Sequence, residues 1–165
     1  MPEKETIRRA QQDKRKGKSP STQAGEFVKE EMDHIREGKH GARSTKQAIA
    51  IGLSKARRAG VALPPPRKGA TSERTRTHAV PDRAKGRKSS GRRPSATRSH
   101  AIRTALQREG KNAASGAALS RQARSSARNR GAAARKAAAR KAVRTKGPSV
   151  LKAAARKAAR TRAKR

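Results

Sequence analysis

Residues 21–63, with the sequence STQAGEFVKEEMDHIREGKHGARSTKQAIAIGLSKARRAGVAL, contain the patterns that decide the fold of this chain. The first part predicts a helix that opens near Ser21 or Thr22, just after Pro20, and runs to about Glu37. Gly38 follows as a left-handed stop. Five apolar residues recur at three- and four-residue steps and form one stripe along this helix: Ala24, Phe27, Val28, Met32 and Ile35.

The second part predicts a shorter helix that starts at Ser44. Gln47 stands three residues later and completes a capping box. Gly60 followed by Val61 marks the end of this helix, and the three prolines at 64–66 prevent its continuation. The two helices form an α-helical hairpin over residues 21–63, and its expected core consists of Phe27, Val28, Met32, Ile35, Ile49 and Leu53.

A lone hairpin of this size buries little surface, so it needs additional cover. We consider two sources. One is homo-oligomerisation through the hairpin. The other is a weak helix over residues 3–16, within a basic N-terminal segment 1–20, which would contribute Ile7 and Ala10.

The composition of the whole chain argues against a globular enzyme. Of 165 residues, Leu, Ile, Val and Phe together supply only 16, while the net charge is +35. Such a composition is typical of chains that are disordered or that fold on binding, because too little apolar surface is available to offset the ordering of the backbone. We therefore expect a mostly α fold: a short α-helical hairpin head followed by a long basic arm, largely disordered or conditionally helical.

The arm divides into three segments by composition. Residues 64–94 are rich in Pro, Gly, Ser, Thr and Arg and predict a linker, in which Gly91-Arg92-Arg93-Pro94 resembles an AT-hook core with Gly and the first Arg transposed. Residues 95–131 predict weak basic helices. Residues 132–165 are a tail in which the unit Ala-Ala-Ala-Arg-Lys recurs three times, with a break at Gly147-Pro148.

Charge is distributed very unevenly along the chain. Residues 1–37 carry nine basic and eight acidic side chains, whereas residues 38–165 carry 37 basic and three acidic ones, and no acidic residue follows Glu109. A charge of this size predicts binding to a polyanion. The expected nucleic-acid-binding residues are Arg121, Arg124, Arg128, Arg130, Arg135, Lys136, Arg140, Lys141, Arg144, Lys146, Lys152, Arg156, Lys157, Arg160 and Arg162.

Several classes of site have no support in the sequence. The chain lacks Cys, Trp and Tyr, and we find no catalytic motif and expect no cofactor. Glu31 and His34 have the Glu-x-x-His spacing of carboxylate-bridged metal bundles, but such a site needs further ligands on partner helices, and the four histidines show no ligand spacing. We therefore expect no metal site. We also expect no membrane contact, because no apolar run approaches the ~20 residues of a membrane span.

Residues 24–66 resemble a family of small basic bacterial proteins of unknown function. The resemblance covers about a quarter of the chain and implies a bacterial origin but no activity. Separately, the Ala-Ala-Ala-Arg-Lys tail is similar in composition to the cationic tails of bacterial histone H1-like proteins.

Together these patterns predict a cytoplasmic, nucleoid-associated protein that binds double-stranded DNA without sequence preference and that neutralises, compacts or bridges it. Duplex DNA is favoured over RNA because stacking aromatic residues and RNA-module signatures are missing. Two alternatives stay open. One is an RNA- or ribosome-associated accessory protein. The other is a regulator whose hairpin binds a protein partner while the arm anchors it to DNA.

Overall fold

The computed structural model describes residues 2–69, 71–88 and 95–163, and it confirms a mostly α fold, with no strand in these ranges. The AT-hook-like residues 91–94 lie outside the described residues. The chain divides into two units, residues 1–120 and residues 121–165, and we call the first of them the compact unit. The helices are α1 (Lys4–Arg15), α2 (Pro20–Glu37), α3 (Thr45–Arg58), α4 (Glu73–Lys88), α5 (Ala96–Gln107), α6 (Gly116–Asn129) and α7 (Gly131–Ala163), with a short 3-10 turn at Asn112–Ala114 between α5 and α6.

The ends of α2 and α3 are fixed by local hydrogen bonds. Helix α2 is capped by Ser19, whose side chain accepts from the backbone N–H of Thr22, and it ends at Gly38 with a φ of +81°. The Ser44 hydroxyl accepts from the backbone N–H of Gln47 at 3.2 Å, as a capping residue does. These contacts involve residues at most a few positions apart, which is why the sequence pattern located both helices.

Helices α2 and α3 approach each other closely at Gly52. A Cβ atom added at this glycine would lie 2.7 Å from the Cα of Val28 and 3.0 Å from the backbone oxygen of Phe27. Small residues at a helix crossing allow two backbones to come near enough for the flanking apolar side chains to pack. Of the expected core residues, Phe27, Met32 and Ile35 are buried, while Val28, Ile49 and Leu53 are half-buried and pack against them.

The upstream helix α1 covers one end of the hairpin. Ala10 is buried in a cluster with Ala24, Phe27, Ala56 and Val61, and Ile7 packs against the same cluster. Arg9 Nε donates to Glu26 Oε2 at 2.9 Å and adds a polar contact between α1 and α2. Of the two expected ways to cover the hairpin, the structure thus shows the upstream helix.

The other end of the hairpin is covered by a segment that the sequence did not single out. Ala113 and Ala114 are buried against Met32, Ile35, Ala42 and Ala48, with Leu119 packed alongside. Four hydrogen bonds hold this segment. The Gly41 and Ala42 amides donate to the carbonyls of Leu106 and Gly110 at 2.8 and 3.2 Å, the Thr45 hydroxyl donates to the Ala113 carbonyl at 2.7 Å, and Arg36 Nε donates to the Ala114 carbonyl at 3.2 Å.

Helix α4 lies within the segment that we expected to be a linker. Its Ala79 is buried, and Asp82 pairs with Arg58 Nε at 3.2 Å and accepts from the Ser54 hydroxyl. Helix α4 thus docks on α3 mainly through polar contacts. This explains why the segment lacks the apolar periodicity by which helices are usually recognised.

The expectation of a long, largely disordered arm is not supported by the structure. Nearly all of the described residues between Gly116 and Ala163 lie in α6 and α7, although none of the residues in these two helices is buried. Alanine has the highest helix propensity of all residues, and here it outweighs the repulsion between basic side chains. The expected break is present, because Gly147 has a φ of +73° and interrupts α7.

The close approach at Gly52 generates the first prediction. Gly52→Ala should destabilise the protein by about 1–2 kcal/mol in urea unfolding followed by circular dichroism, because the added methyl group meets the Val28 backbone. Gly25→Ala is the matched control on α2, since nothing lies within 4 Å of its added Cβ. It should be neutral or stabilise by up to about 1 kcal/mol. Equal effects of the two substitutions would contradict the assigned packing.

Candidate functional site

The basic side chains of α6 and α7 form a group of charges in a segment that contains no acidic residue. All fifteen expected nucleic-acid-binding residues, from Arg121 to Arg162, are exposed to solvent. No acidic residue follows Glu109 in the sequence, so none is available within residues 121–165 to pair with them. The electrostatic field of this unit is therefore positive throughout.

The charge surrounds α7 rather than marking one face. Successive Arg-Lys pairs, at 135–136 and 140–141, are five residues apart and so are rotated by about 140° around the helix axis. The larger apolar residues Val143 and Val150 are about half exposed and form no continuous stripe. Such a helix presents cations in every direction and lacks the broad apolar face that an interfacial membrane helix needs. Separately, none of the described helices has both the length and the apolar character needed to cross a bilayer.

Among the described residues of the compact unit 1–120, eight Lys and Arg side chains form ion pairs with acidic ones. Examples are Arg9 with Glu26, Lys18 with Asp13, and Arg58 with Asp82, at N–O distances of 2.9, 2.7 and 3.2 Å. The two units therefore use charge in different ways. In residues 1–120 ion pairs join helices and turns, whereas in residues 121–165 the cations face solvent alone.

A second polar group lies within the compact unit, between α2 and α3. The carboxylates of Glu30 and Glu31 are almost fully buried, with side-chain exposures of 2% and 1%. Lys55 Nζ lies between them, 3.4 Å from Glu30 Oε1 and 2.6 Å from Glu31 Oε2. One ammonium thus faces two buried carboxylates, and the backbone N–H of Glu3 donates to the remaining Glu30 oxygen at 3.1 Å.

Two histidines join Glu31 on the other side. One ring nitrogen of His34, one of His40 and a carboxylate oxygen of Glu31 all lie within 4.8 Å of one another. The Glu31 and His34 pair has the spacing noted in the sequence, and the left-handed turn at Gly38 brings His40 back towards it. Sequence reasoning missed His40, because its approach depends on this reversal of the chain and not on helical periodicity.

The edge of this group is surrounded by further charges. Glu3 Oε1 lies 2.8 Å from His34 Nε2 and 3.3 Å from Lys39 Nζ. Hydrogen bonding to His34, and then to Lys39, lowers the pKa of Glu3 below its ordinary value. Hydrogen bonding to Glu37 raises the pKa of Lys39. Both shifts favour the charged forms, so an anionic Glu3 and a cationic Lys39 lie beside the histidines at neutral pH.

The half-buried Lys55 generates the second prediction. Lys55→Met should destabilise the protein by about 3 kcal/mol in urea unfolding, because it leaves two buried carboxylates without their ammonium partner. Lys46→Met is the matched control, since Lys46 is exposed on the same helix. Its effect should stay within about 0.5 kcal/mol. A Lys55→Met variant as stable as the control would show that the ion pairs contribute nothing.

Comparison with known proteins finds a family match for the N-terminal part of the chain. No curated protein and no solved structure matches the chain significantly. The resemblance of residues 24–66 to a family of unknown function is confirmed by a family model that extends further towards the N-terminus. Residues 4–68, which hold α1, α2 and α3 and make up about two fifths of the chain, match the model of the family of unknown function DUF6496.

Proposed function

We propose that this protein binds double-stranded DNA without sequence preference and neutralises its phosphates through the exposed cations of α6 and α7. The observation that carries the proposal is the contrast between the two units. All eleven acidic residues lie in the compact unit, whereas fifteen basic residues of residues 121–165 are exposed in a segment without any acid.

The physical basis is the release of condensed counterions. Each phosphate that a Lys or Arg neutralises frees a counterion from the duplex, and the entropy gained favours binding at low salt. Arg side chains can also donate two parallel hydrogen bonds to one phosphate. Because the helical backbone spaces the cations without using side chains for packing, nearly every basic residue of α7 stays available for such contacts.

Duplex DNA is the favoured polyanion for this surface. Proteins that prefer single strands commonly stack bases on aromatic side chains, but the chain contains one Phe, which is buried in the core, and neither Trp nor Tyr. Sequence-specific RNA recognition relies on similar stacking. A nucleoid location and a role in compacting or bridging DNA follow from the same proposal, with the compact unit free to contact a second copy or a protein partner.

The third prediction concerns the salt dependence of binding. If about ten phosphates are neutralised, the plot of log K against log salt should have a slope near −9, since each contact contributes about −0.9. Fluorescence anisotropy with duplexes of random and defined sequence measures this slope. The affinities of the two duplexes should differ by less than the effect of one mismatched base pair in a specific site, about 1–3 kcal/mol. A slope shallower than about −3 would overturn the proposal.

A pair of charge-matched variants tests the location of the binding surface. Changing Lys136, Arg140, Lys141 and Arg144 to Gln should make the slope shallower by up to about 3.6, because four contacts are removed. The control replaces four exposed basic residues at the two ends of α1 by Gln: Lys4, Lys14, Arg15 and Lys16. An equal loss in the control would show that binding is not localised to α7. Tighter binding to RNA than to duplex DNA would favour the RNA-associated alternative.

A further inference from the structure

The buried carboxylate of Glu31 is the least satisfied polar group in the described structure. Both of its oxygens are inaccessible to solvent, and neither has a hydrogen-bond partner of acceptable geometry. Lys55 Nζ and His40 Nε2 lie 2.6 and 3.2 Å away, as ion-pair contacts only. A buried carboxylate without hydrogen bonds is costly unless a cation lies against it.

The hydrogen bond of His40 makes its contact with Glu31 unfavourable when the ring is neutral. Its Nδ1 lies 3.1 Å from the carbonyl oxygen of Gly41. A carbonyl oxygen can only accept, so the hydrogen bond requires a proton on Nδ1. In the neutral ring the lone pair is then on Nε2, which faces Glu31 Oε1. Two acceptors that face each other repel, and a cation between them turns the contact into an attractive one.

The charges of the cluster leave room for such a cation. Glu30 and Glu31 together carry two buried negative charges, and Lys55 supplies one positive charge. One buried negative charge is therefore left without a cation of its own. A metal ion would explain both the contact between His40 and Glu31 and the position of His34 beside them.

The geometry also suits a metal with short bonds. Tetrahedral Zn²⁺ with bonds of about 2.0–2.1 Å holds its ligand atoms roughly 3.3 Å apart. The distance from His40 Nε2 to Glu31 Oε1 is 3.2 Å, and the ligand atoms of all three residues lie within 4.8 Å of one another. A small inward movement of His34 would complete the site.

Both histidine rings are hydrogen-bonded to a further acceptor, as metal-binding histidines usually are. The His40 ring is held by the Gly41 carbonyl and the His34 ring by the Glu3 carboxylate. Carbonyl and carboxylate partners of this kind orient a ligating imidazole and raise its basicity. Lys55 remains on Glu31 Oε2, leaving Oε1 for the metal.

From these contacts we propose that Glu31, His34 and His40 bind one Zn²⁺ ion, with a water molecule in the fourth position. Two imidazoles and one carboxylate form a ligand set that zinc commonly takes. The ion would fasten the turn after Gly38 to α2. Because Gly41 and Ala42 in that turn hold the segment from Leu106 to Gly110, the metal would also stabilise the docking of that segment.

The test is titration of the full-length, chelator-treated protein with ZnCl₂ in a calorimeter, and with CoCl₂ followed by visible absorption. We expect one Zn²⁺ per chain and the d–d bands of four-coordinate Co²⁺. His40→Gln, His34→Gln and Glu31→Gln should each weaken binding at least about a hundredfold, because each removes a ligand and not only an outer partner. His78→Gln and His100→Gln, on α4 and α5, are matched controls that should bind as the wild type does.

Thermal unfolding with and without Zn²⁺ tests the proposal even if a ligand variant folds poorly. Zn²⁺ should raise the melting temperature of the wild type and of His100→Gln, and should leave that of Glu31→Gln unchanged. Absence of saturable binding by the wild type would overturn the proposal. Equal losses in His100→Gln and His40→Gln would also overturn it, because binding would then be a property of surface histidines.

Discussion

The close approach of α2 and α3 at Gly52 is the contact on which the rest of the compact unit depends. With only 16 residues of Leu, Ile, Val and Phe in the chain, the core is built largely from alanines. An alanine methyl group reaches a neighbour only when the backbones themselves are near. The close crossing also brings Lys55 within reach of Glu30 and Glu31, so apolar packing and the buried ion pairs require the same separation of the two helices.

The parts of this fold that could be predicted from the sequence are those determined by near neighbours. Ser44 and Gln47 cap α3 across three residues, and Gly38 ends α2 through its own backbone angle. By contrast, Ala113 and Ala114 belong to the core although they lie more than sixty residues after the start of α3. Two neighbouring alanines form no apolar periodicity that would predict their burial. Helix α4 docks through Asp82 rather than through an apolar stripe.

The two candidate sites differ in the same way. The cations of α6 and α7 could be named from sequence, because a basic residue in an alanine-rich segment without acids needs no tertiary contact to be exposed. The tail is more helical than its charge predicts, because the helix propensity of alanine outweighs the repulsion between basic side chains. The cluster of Glu31, His34 and His40 required the reversal of the chain after Gly38, and only Glu31 and His34 share a helix.

Gly147 divides α7 into two helical segments. A continuous helix of the 33 residues of α7 would be a stiff rod of roughly 50 Å. A straight rod touches a cylinder such as duplex DNA over a short length only, because the phosphate strands curve away from it. The break yields two segments of roughly 24 Å, each shorter than one turn of the duplex, about 34–36 Å. In the proposed complex with DNA, the change of direction at Gly147 would let each segment follow its own stretch of phosphate backbone without bending either the helix or the duplex.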